Sequence, residues 1–580
     1  MRFLFIAVTA SIALATLGCE SAPPAEESRP PNIILVMTDD QGYGDVGAHG
    51  NPMIKTPNLD KLHGESVRLT NYHVDPTCAP TRSALLSGRY SSRTGVWHTI
   101  MGRSIVHEDE TLISNILSEA GYTTGFFGKW HLGDNYPHRP EDRAFDEVVR
   151  HGGGGVQQTP DYWGNDYFDD TYWHNSVPTK YEGYCTDVFF REGMRFIEEN
   201  KDKPFFAYIP TNAPHGPLFV EERYVTPYLE QGVPEAMAKF YGMIENIDDN
   251  MGLLTAELDE LGLSDNTILI FTTDNGTANG VNRDGSPYED AKWGGFNDGM
   301  RGKKGSQYEG GHRVPFFVRW PAGNLGQPRD IANLSAHIDV LPTLAELAGV
   351  SVPAGIDIDG KSLVPLLKGS GDLPSRTLFV HSQRIEWPEK WKTSSVMTDR
   401  WRLIDGKELY DLDADPGQQN NVAADNKEVF DDLRGQYDQW WDHISTRFED
   451  HVLIMVGGEE NPARITAHDW HPPEEQAVPW NQPAIQRNPH STGYWMINVA
   501  EAGEYEFALL QHDKDANYTI DAVEARIKVG DVETKAAVPA NSTEVALKLD
   551  LPAGEAKMET WFTDKAGKER GAFFVYAKKL

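Results

Sequence analysis

The chain has 580 residues and a formal net charge of −34, from 53 Lys plus Arg against 87 Asp plus Glu. That length exceeds one hydrophobic core and implies two or three domains. The charge argues against nucleic acid or an anionic membrane face as partner, and an anionic substrate needs a locally basic pocket.

Met1-Arg2 is followed by an apolar run from Phe3 to Leu17 and then Gly18-Cys19. The run is short for a membrane span and reads as a signal peptide. Residues 1–19 fit a lipoprotein signal processed at Cys19, and the polar, Pro-rich residues 20–31 fit a tether. Ordinary cleavage near Ala15 is the competing reading, because Thr16 stands where Leu is commoner. The expected address is outside the cytoplasm, in a bacterial periplasm or at the cell surface, with a lipid on Cys19 as the membrane contact. Of the three Cys, Cys185 is left without a partner, so no structural disulfide is expected and Cys185 reads as a small buried hydrophobe.

Four apolar runs read as buried parallel strands, and each ends in polar residues. Asn32–Thr38 runs into Asp39-Asp40, and Tyr122–Phe127 into Gly128-Lys129-Trp130-His131. Pro204–Ile209 runs into Pro210-Thr211-Asn212-Ala213-Pro214-His215, and Thr267–Thr273 into Asp274-Asn275-Gly276. Helical spacing covers Thr111–Ala120 up to Gly121, and again His337–Leu344. In an open α/β sheet ligands bind at the carboxyl ends of the strands, so these polar residues are candidates for one pocket.

Between the first two runs lies Cys78-Ala79-Pro80-Thr81-Arg82, followed by Ser83 to Arg89. Pro80 suits the first turn of a helix, and Gly88 can stop it. Cys78 then sits at the helix N-terminus, where free N–H groups favour an anion. Arg82 lies one turn further on the same face. Lys304 belongs to a Gly-rich loop, Arg301 to Arg313. Asp39, Asp40, Asp274 and Asn275 are hard oxygen donors suited to Ca²⁺ or Mg²⁺. Lys129, His131, His215 and Lys304 add cations and proton donors, the complement of a sulfate or phosphate ester. Singly, each has an ordinary reading as turn, cap or solvated loop. Their joint occurrence at successive strand ends points to a site.

These motifs resemble those of the formylglycine-dependent type I sulfatases of the alkaline phosphatase superfamily, in their bacterial polysaccharide- and arylsulfatase-like form, over roughly residues 32–450. The resemblance implies an α/β fold: a mixed sheet sandwiched by helices, then a small antiparallel subdomain. It implies that a maturation enzyme converts Cys78 to formylglycine (3-oxoalanine). It also implies that Asp39, Asp40, Asp274, Asn275 and the modified Cys78 ligate one Ca²⁺. Arg82, Lys129, His131, His215 and Lys304 map onto the family's catalytic and sulfate-binding positions. In the mechanism so implied, a hydroxyl of the hydrated aldehyde attacks sulfur, His215 protonates the leaving oxygen, and His131 helps expel sulfate. A phosphodiesterase or phosphonate monoester hydrolase of the same superfamily is the alternative enzyme. An inactive glycan-binding relative is the alternative without catalysis.

The expected domains are residues 32–374 for catalysis, 375–454 for the small subdomain and 455–580 for a β-sandwich. The last reading rests on short alternating strands at Tyr494–Val499, Glu504–Leu510, Ala525–Val529, Thr543–Leu549 and Phe573–Lys578. This terminal domain would bind carbohydrate or shape the active-site rim, or else be a structural appendage. Its segment Ala467–Pro472 would contact sugar or dock the domains. The aromatic insertion from His151 to His174, with Trp163 and Trp173, reads equally as a sugar cleft or as loop packing. A sulfated glycan, algal or from a host, is the expected substrate.

Overall fold

The computed structural model describes residues 29–282, 285–286, 293–473 and 476–580. The signal peptide, Cys19 and most of the tether lie outside the described residues.

Among the described residues, the main sheet has ten strands. Their order is Arg329–Ile331, Val67–Leu69, Phe316–Arg319, Thr267–Thr273, Asn32–Thr38, Phe205–Pro210, Thr123–Gly128, Glu147–Arg150, Thr171–His174 and Val177–Lys180. The five from Thr267–Thr273 to Glu147–Arg150 pair in parallel. Phe316–Arg319 and Thr171–His174 pair antiparallel at either side, which makes the sheet mixed.

The central strands are apolar throughout because both faces are covered. Ile33, Leu35 and Met37 pack into a layer with Leu85, Leu86, Ile113, Leu117, Leu341 and Leu344. Ile34 and Val36 point the other way, onto Val188, Phe189, Ile247 and Met251. The helices on the first side include Cys78–Ser87, Ile113–Glu119 and Val340–Leu347. Those on the second include Cys185–Glu199 and Glu235–Glu260. Cys185 is buried in that second layer. Among the described residues, no helix is long and apolar enough to cross a membrane.

A four-stranded antiparallel sheet follows, from Leu378–His381 to Glu408–Asp411. The helix Lys427–Ile444 covers it with Leu433, Tyr437, Trp440 and Ile444. Two further sheets then face each other across a core that includes Trp495, Ile497, Phe507, Leu509, Ile527 and Val575. The alternation expected for such strands is regular in Val545–Leu551, where every second residue is buried. The sequence pattern does not mark Val532–Ala537 or Gly554–Thr563 as strands, yet both belong to the sandwich. Val532–Ala537 alternates half-buried and exposed residues, with Val532 and Ala536 against the core, but Thr534 on the same face makes its apolar period weak. In Gly554–Thr563 the charges of Glu555, Lys557 and Glu559 mask the inward Met558, Thr560 and Phe562.

Candidate active site

The parallel register aligns Thr38 with Thr273 and Met37 with Pro210. Asp39, Asp40, Asp274, Asn275 and the loop that carries His215 therefore leave the sheet at the same edge. Two backbone bonds fix the junction: Asp274 N–H donates to Thr38 O at 3.1 Å, and Asp39 N–H to Ala213 O at 3.2 Å. Asp40 has a left-handed backbone (φ 73), and its N–H donates to Asp274 Oδ1 at 3.1 Å.

Cys78 is the first residue of the helix Cys78–Ser87, which is capped by Gly88 at φ 69 with a bond from its N–H to Ala84 O. The helix axis thus aims its N-terminal amides at the strand ends. Lys304 Nζ lies 3.5 Å from Cys78 Sγ and also pairs with Asp40. Lys129 donates to Asp39 Oδ2 at 2.5 Å, with both side chains fully buried. Asn275 Nδ2 donates to Asp40 Oδ1 at 2.9 Å.

All ten candidate site residues come together, but Arg82 faces away from the opening. It is 1 % exposed. Its guanidinium donates to Asp274 Oδ2 at 2.7 and 3.2 Å and to Lys129 O at 3.0 Å. It clamps two other site residues instead of reaching into solvent.

The donor set fits a divalent cation. Asp39 Oδ1 and Asn275 Oδ1 are buried acceptors without a hydrogen-bond partner. Ligand atoms of Asp39, Cys78 and Asp274 lie within 4.8 Å of one another, as do those of Asp39, Asp40 and His215. Hard oxygens with free lone pairs are what Ca²⁺ or Mg²⁺ takes. Three carboxylates already face three cations (Lys129, Lys304 and Arg82), so an added divalent ion leaves the site net positive, as an anionic ester requires.

Burial sets most of the titration behaviour. It raises the Asp39 carboxyl, with Lys129 opposing. It pushes Asp274 up to about 6, helped by the charge of Asp39 and opposed by Arg82. Asp40 is also desolvated, but Lys304 and His215 hold it below the usual carboxylate range. Burial pushes the Cys78 thiol up, and Lys129 and Lys304 offset only part of this. An unmodified Cys78 is therefore a thiol at neutral pH and a weak nucleophile. His215 is pushed down to about 3 by burial, with Asp40 opposing. His131 lies well below its ordinary value, through burial and then the charge of Lys129.

A cleft of about 380 Å³ opens over the site. Cys78, His131, His215 and Lys304 form its floor, and His98, Thr99, Ile100, Gln158, Arg384 and Trp480 form the rest of its wall. Of the insertion from His151 to His174, Gln158 alone is in that wall. The sugar-cleft reading of Trp163 and Trp173 is corrected accordingly. Trp163 packs against His512, Tyr518 and Phe574 of the sandwich, with ring centroids 5.8–6.4 Å apart. Trp173 faces the guanidinium groups of Arg150 and Arg464 at 5.5 and 5.8 Å. Ala467–Pro472 docks the domains: Met101 N–H donates to His468 O at 2.9 Å, and His471 Nδ1 contacts Glu386 Oε1 at 2.7 Å.

Comparison with known proteins agrees with this geometry. The sulfatase family model matches residues 31–350, and that of the N-sulphoglucosamine sulphohydrolase C-terminal region matches residues 302–440. Human arylsulfatase A is 30% identical over 497 residues, 75% of this chain and 89% of that protein. Mouse N-acetylgalactosamine-6-sulfatase is 30% identical over 394 residues, covering 64% of this chain and 72% of that one. The crystal structure of Ps i-CgsB in complex with k-i-k-neocarrahexaose superposes with a TM-score of 0.63 at 29% identity, over 71% of this chain and 93% of that one. The chain belongs to the sulfatase family. It is a sulfuric ester hydrolase. Both family matches end before the sandwich begins at Ile454.

Proposed function

We propose that the protein removes sulfate from a sulfated carbohydrate, with formylglycine at position 78 as nucleophile and one Ca²⁺ held by Asp39, Asp40, Asp274, Asn275 and the modified residue 78. The observation that carries this reading is Cys78 at a helix N-terminus, 3.5 Å from Lys304 and beside two buried, unpartnered oxygen acceptors. A carbohydrate substrate is supported by the neocarrahexaose bound to Ps i-CgsB.

Oxidised residue 78 supplies an oxygen nucleophile, and a divalent cation supplies positive charge to the sulfate. The chain's own residues do the rest. Lys304 lies on the cleft floor, where its ammonium would meet the oxygens of a bound sulfate. Lys129 and Arg82 offset part of the burial that raises the Asp39 and Asp274 carboxyls. His215 donates Nδ1–H to Gly216 O at 2.6 Å, which leaves Nε2 unprotonated and 3.9 Å from Asp40 Oδ2. An incoming anion favours protonation there, and Nε2 then delivers the proton to the leaving alcohol. His131 donates Nε2–H to Thr99 O at 2.8 Å, so its unpartnered Nδ1 is free to accept a proton.

The address belongs to the same proposal: an exported bacterial lipoprotein, anchored through Cys19 and matured by a formylglycine-generating enzyme. A surface anchor suits a polymeric substrate met at the envelope. The test is turnover of sulfated oligosaccharides against an aryl phosphate diester. Sulfate release from the oligosaccharide with little phosphate-ester hydrolysis is expected, and the reverse preference overturns the reading.

A further inference from the structure

We propose that the C-terminal sandwich region completes the substrate cleft, with Trp480 as a stacking surface for a sugar ring and Arg384 as the site for a second anionic group on the same glycan. This rests on the carbohydrate reading above and narrows it to glycans that carry an anion on the sugar next to the one desulfated.

Trp480 lies beyond both family matches, yet it lines the cleft with Cys78. Its side chain is 41% exposed, so core packing does not account for its position. Its backbone is nonetheless fixed. Thr159 N–H donates to Trp480 O at 2.9 Å, and Thr159 Oγ1 donates to Pro479 O at 2.7 Å. The next residue, Asn481, caps the helix Gln482–Gln486, and Gln482 N–H donates to Gln157 O at 2.9 Å. A rigid backbone presenting an open indole at a cleft mouth has little ordering cost to meet when a sugar face stacks on it.

Arg384 comes from the loop after the small sheet's first strand and is exposed at the cleft. Its guanidinium donates to Thr99 Oγ1 at 3.3 Å, and His98 hydrogen-bonds its backbone. Thr99 O in turn receives the bond from His131. Arg384 is thus tied to the catalytic floor through one residue. In a chain of net charge −34, a polyanionic glycan is repelled by the bulk surface, and a cation at the rim offsets that repulsion locally. Lys304 serves the sulfate that leaves. Arg384 serves an anion that stays, a sulfate or a carboxylate, and the planar fork of arginine suits either.

The experiment uses the full-length matured enzyme. It compares kcat/KM on a disulfated oligosaccharide, its monosulfated counterpart and a small aryl sulfate, with Tm recorded for each variant. For W480A the oligosaccharide-to-aryl-sulfate ratio of kcat/KM should fall about tenfold, and W480F should restore most of it. For R384Q the preference for the disulfated over the monosulfated sugar should fall about fivefold. Unchanged ratios in both variants, with the wild type active on the oligosaccharide, overturn this proposal alone. A wild type that releases no sulfate from either oligosaccharide overturns the carbohydrate reading and this proposal with it.

Discussion

Lys304 Nζ sits 3.5 Å from Cys78 Sγ while also pairing with Asp40. One ammonium group therefore joins the Cys78 thiol to the carboxylate cluster that includes Asp40. Its own proton affinity is raised by Asp40 and Cys78 despite burial, so it stays charged throughout the neutral range. That couples charge at residue 78 to the carboxylate cluster without a mobile element.

Removal of the divalent cation should destabilise the fold as well as stop turnover. Asp39 and Asn275 present unpartnered buried oxygens that only a cation or water satisfies. With Ca²⁺ at a hundredfold over its Kd, linkage adds about 2.7 kcal/mol of stability. Chelation followed by a thermal melt should lower Tm, and Ca²⁺ should restore it. A melt indifferent to chelator and Ca²⁺ contradicts the site.

His215→Ala should act on leaving groups unequally. Alkoxide leaving groups of sugars need protonation, and general acid catalysis contributes about 10²–10⁴-fold. The variant should lose that much kcat/KM on a sugar sulfate and much less on a nitrophenyl sulfate, whose leaving group is already acidic. Equal losses on both would remove His215 from the acid role.

The sequence made the floor of the site readable and left its walls obscure, for physical reasons. Parallel strands buried on both faces give unbroken apolar runs, so Asp39, Asp274 and His215 could be assigned to strand ends. Cys78 and Arg82 lie within one helix, where spacing fixes the face. The partner of Arg82 was not legible: the sequence separation to Asp274 is large, and only the register of Thr38 with Thr273 brings them together. Trp163 and Trp480 show the same limit. Both are aromatic residues in loops, and composition does not say which one faces a cleft. Tertiary contact with His512 and Phe574 takes Trp163 into the domain junction, while the Thr159 bonds hold Trp480 at the opening.

Trp163→Ala therefore tests docking. Truncating a half-buried indole at this junction should cost about 2–3 kcal/mol. The Tm should fall, while kcat/KM on an oligosaccharide and on an aryl sulfate should change together. A selective loss on the oligosaccharide would return Trp163 to substrate contact.

The pair Arg402–Glu309 should shape acid stability. Nε and Oε1 are 2.6 Å apart and both side chains are buried. Burial opposes ionisation of Glu309, but Arg402 and then His73 hold its carboxyl far below the ordinary value of 4.5. The folded value is depressed, so the stabilisation is complete above about 4.5 and is lost as pH falls from there toward the folded value. Urea midpoints should fall between roughly pH 5 and 3, and Glu309→Gln should flatten that slope while lowering stability at pH 7. A slope identical in wild type and variant would show that other carboxylates carry it.

The central claim is that residue 78 acts as an oxidised cysteine. Mass spectrometry of the peptide carrying Cys78, from enzyme made with and without a formylglycine-generating partner, tests it directly. The account predicts an aldehyde at position 78 in the active preparation, with specific activity proportional to the converted fraction and none in Cys78→Ala. A fully active enzyme whose Cys78 peptide is an intact thiol would contradict it.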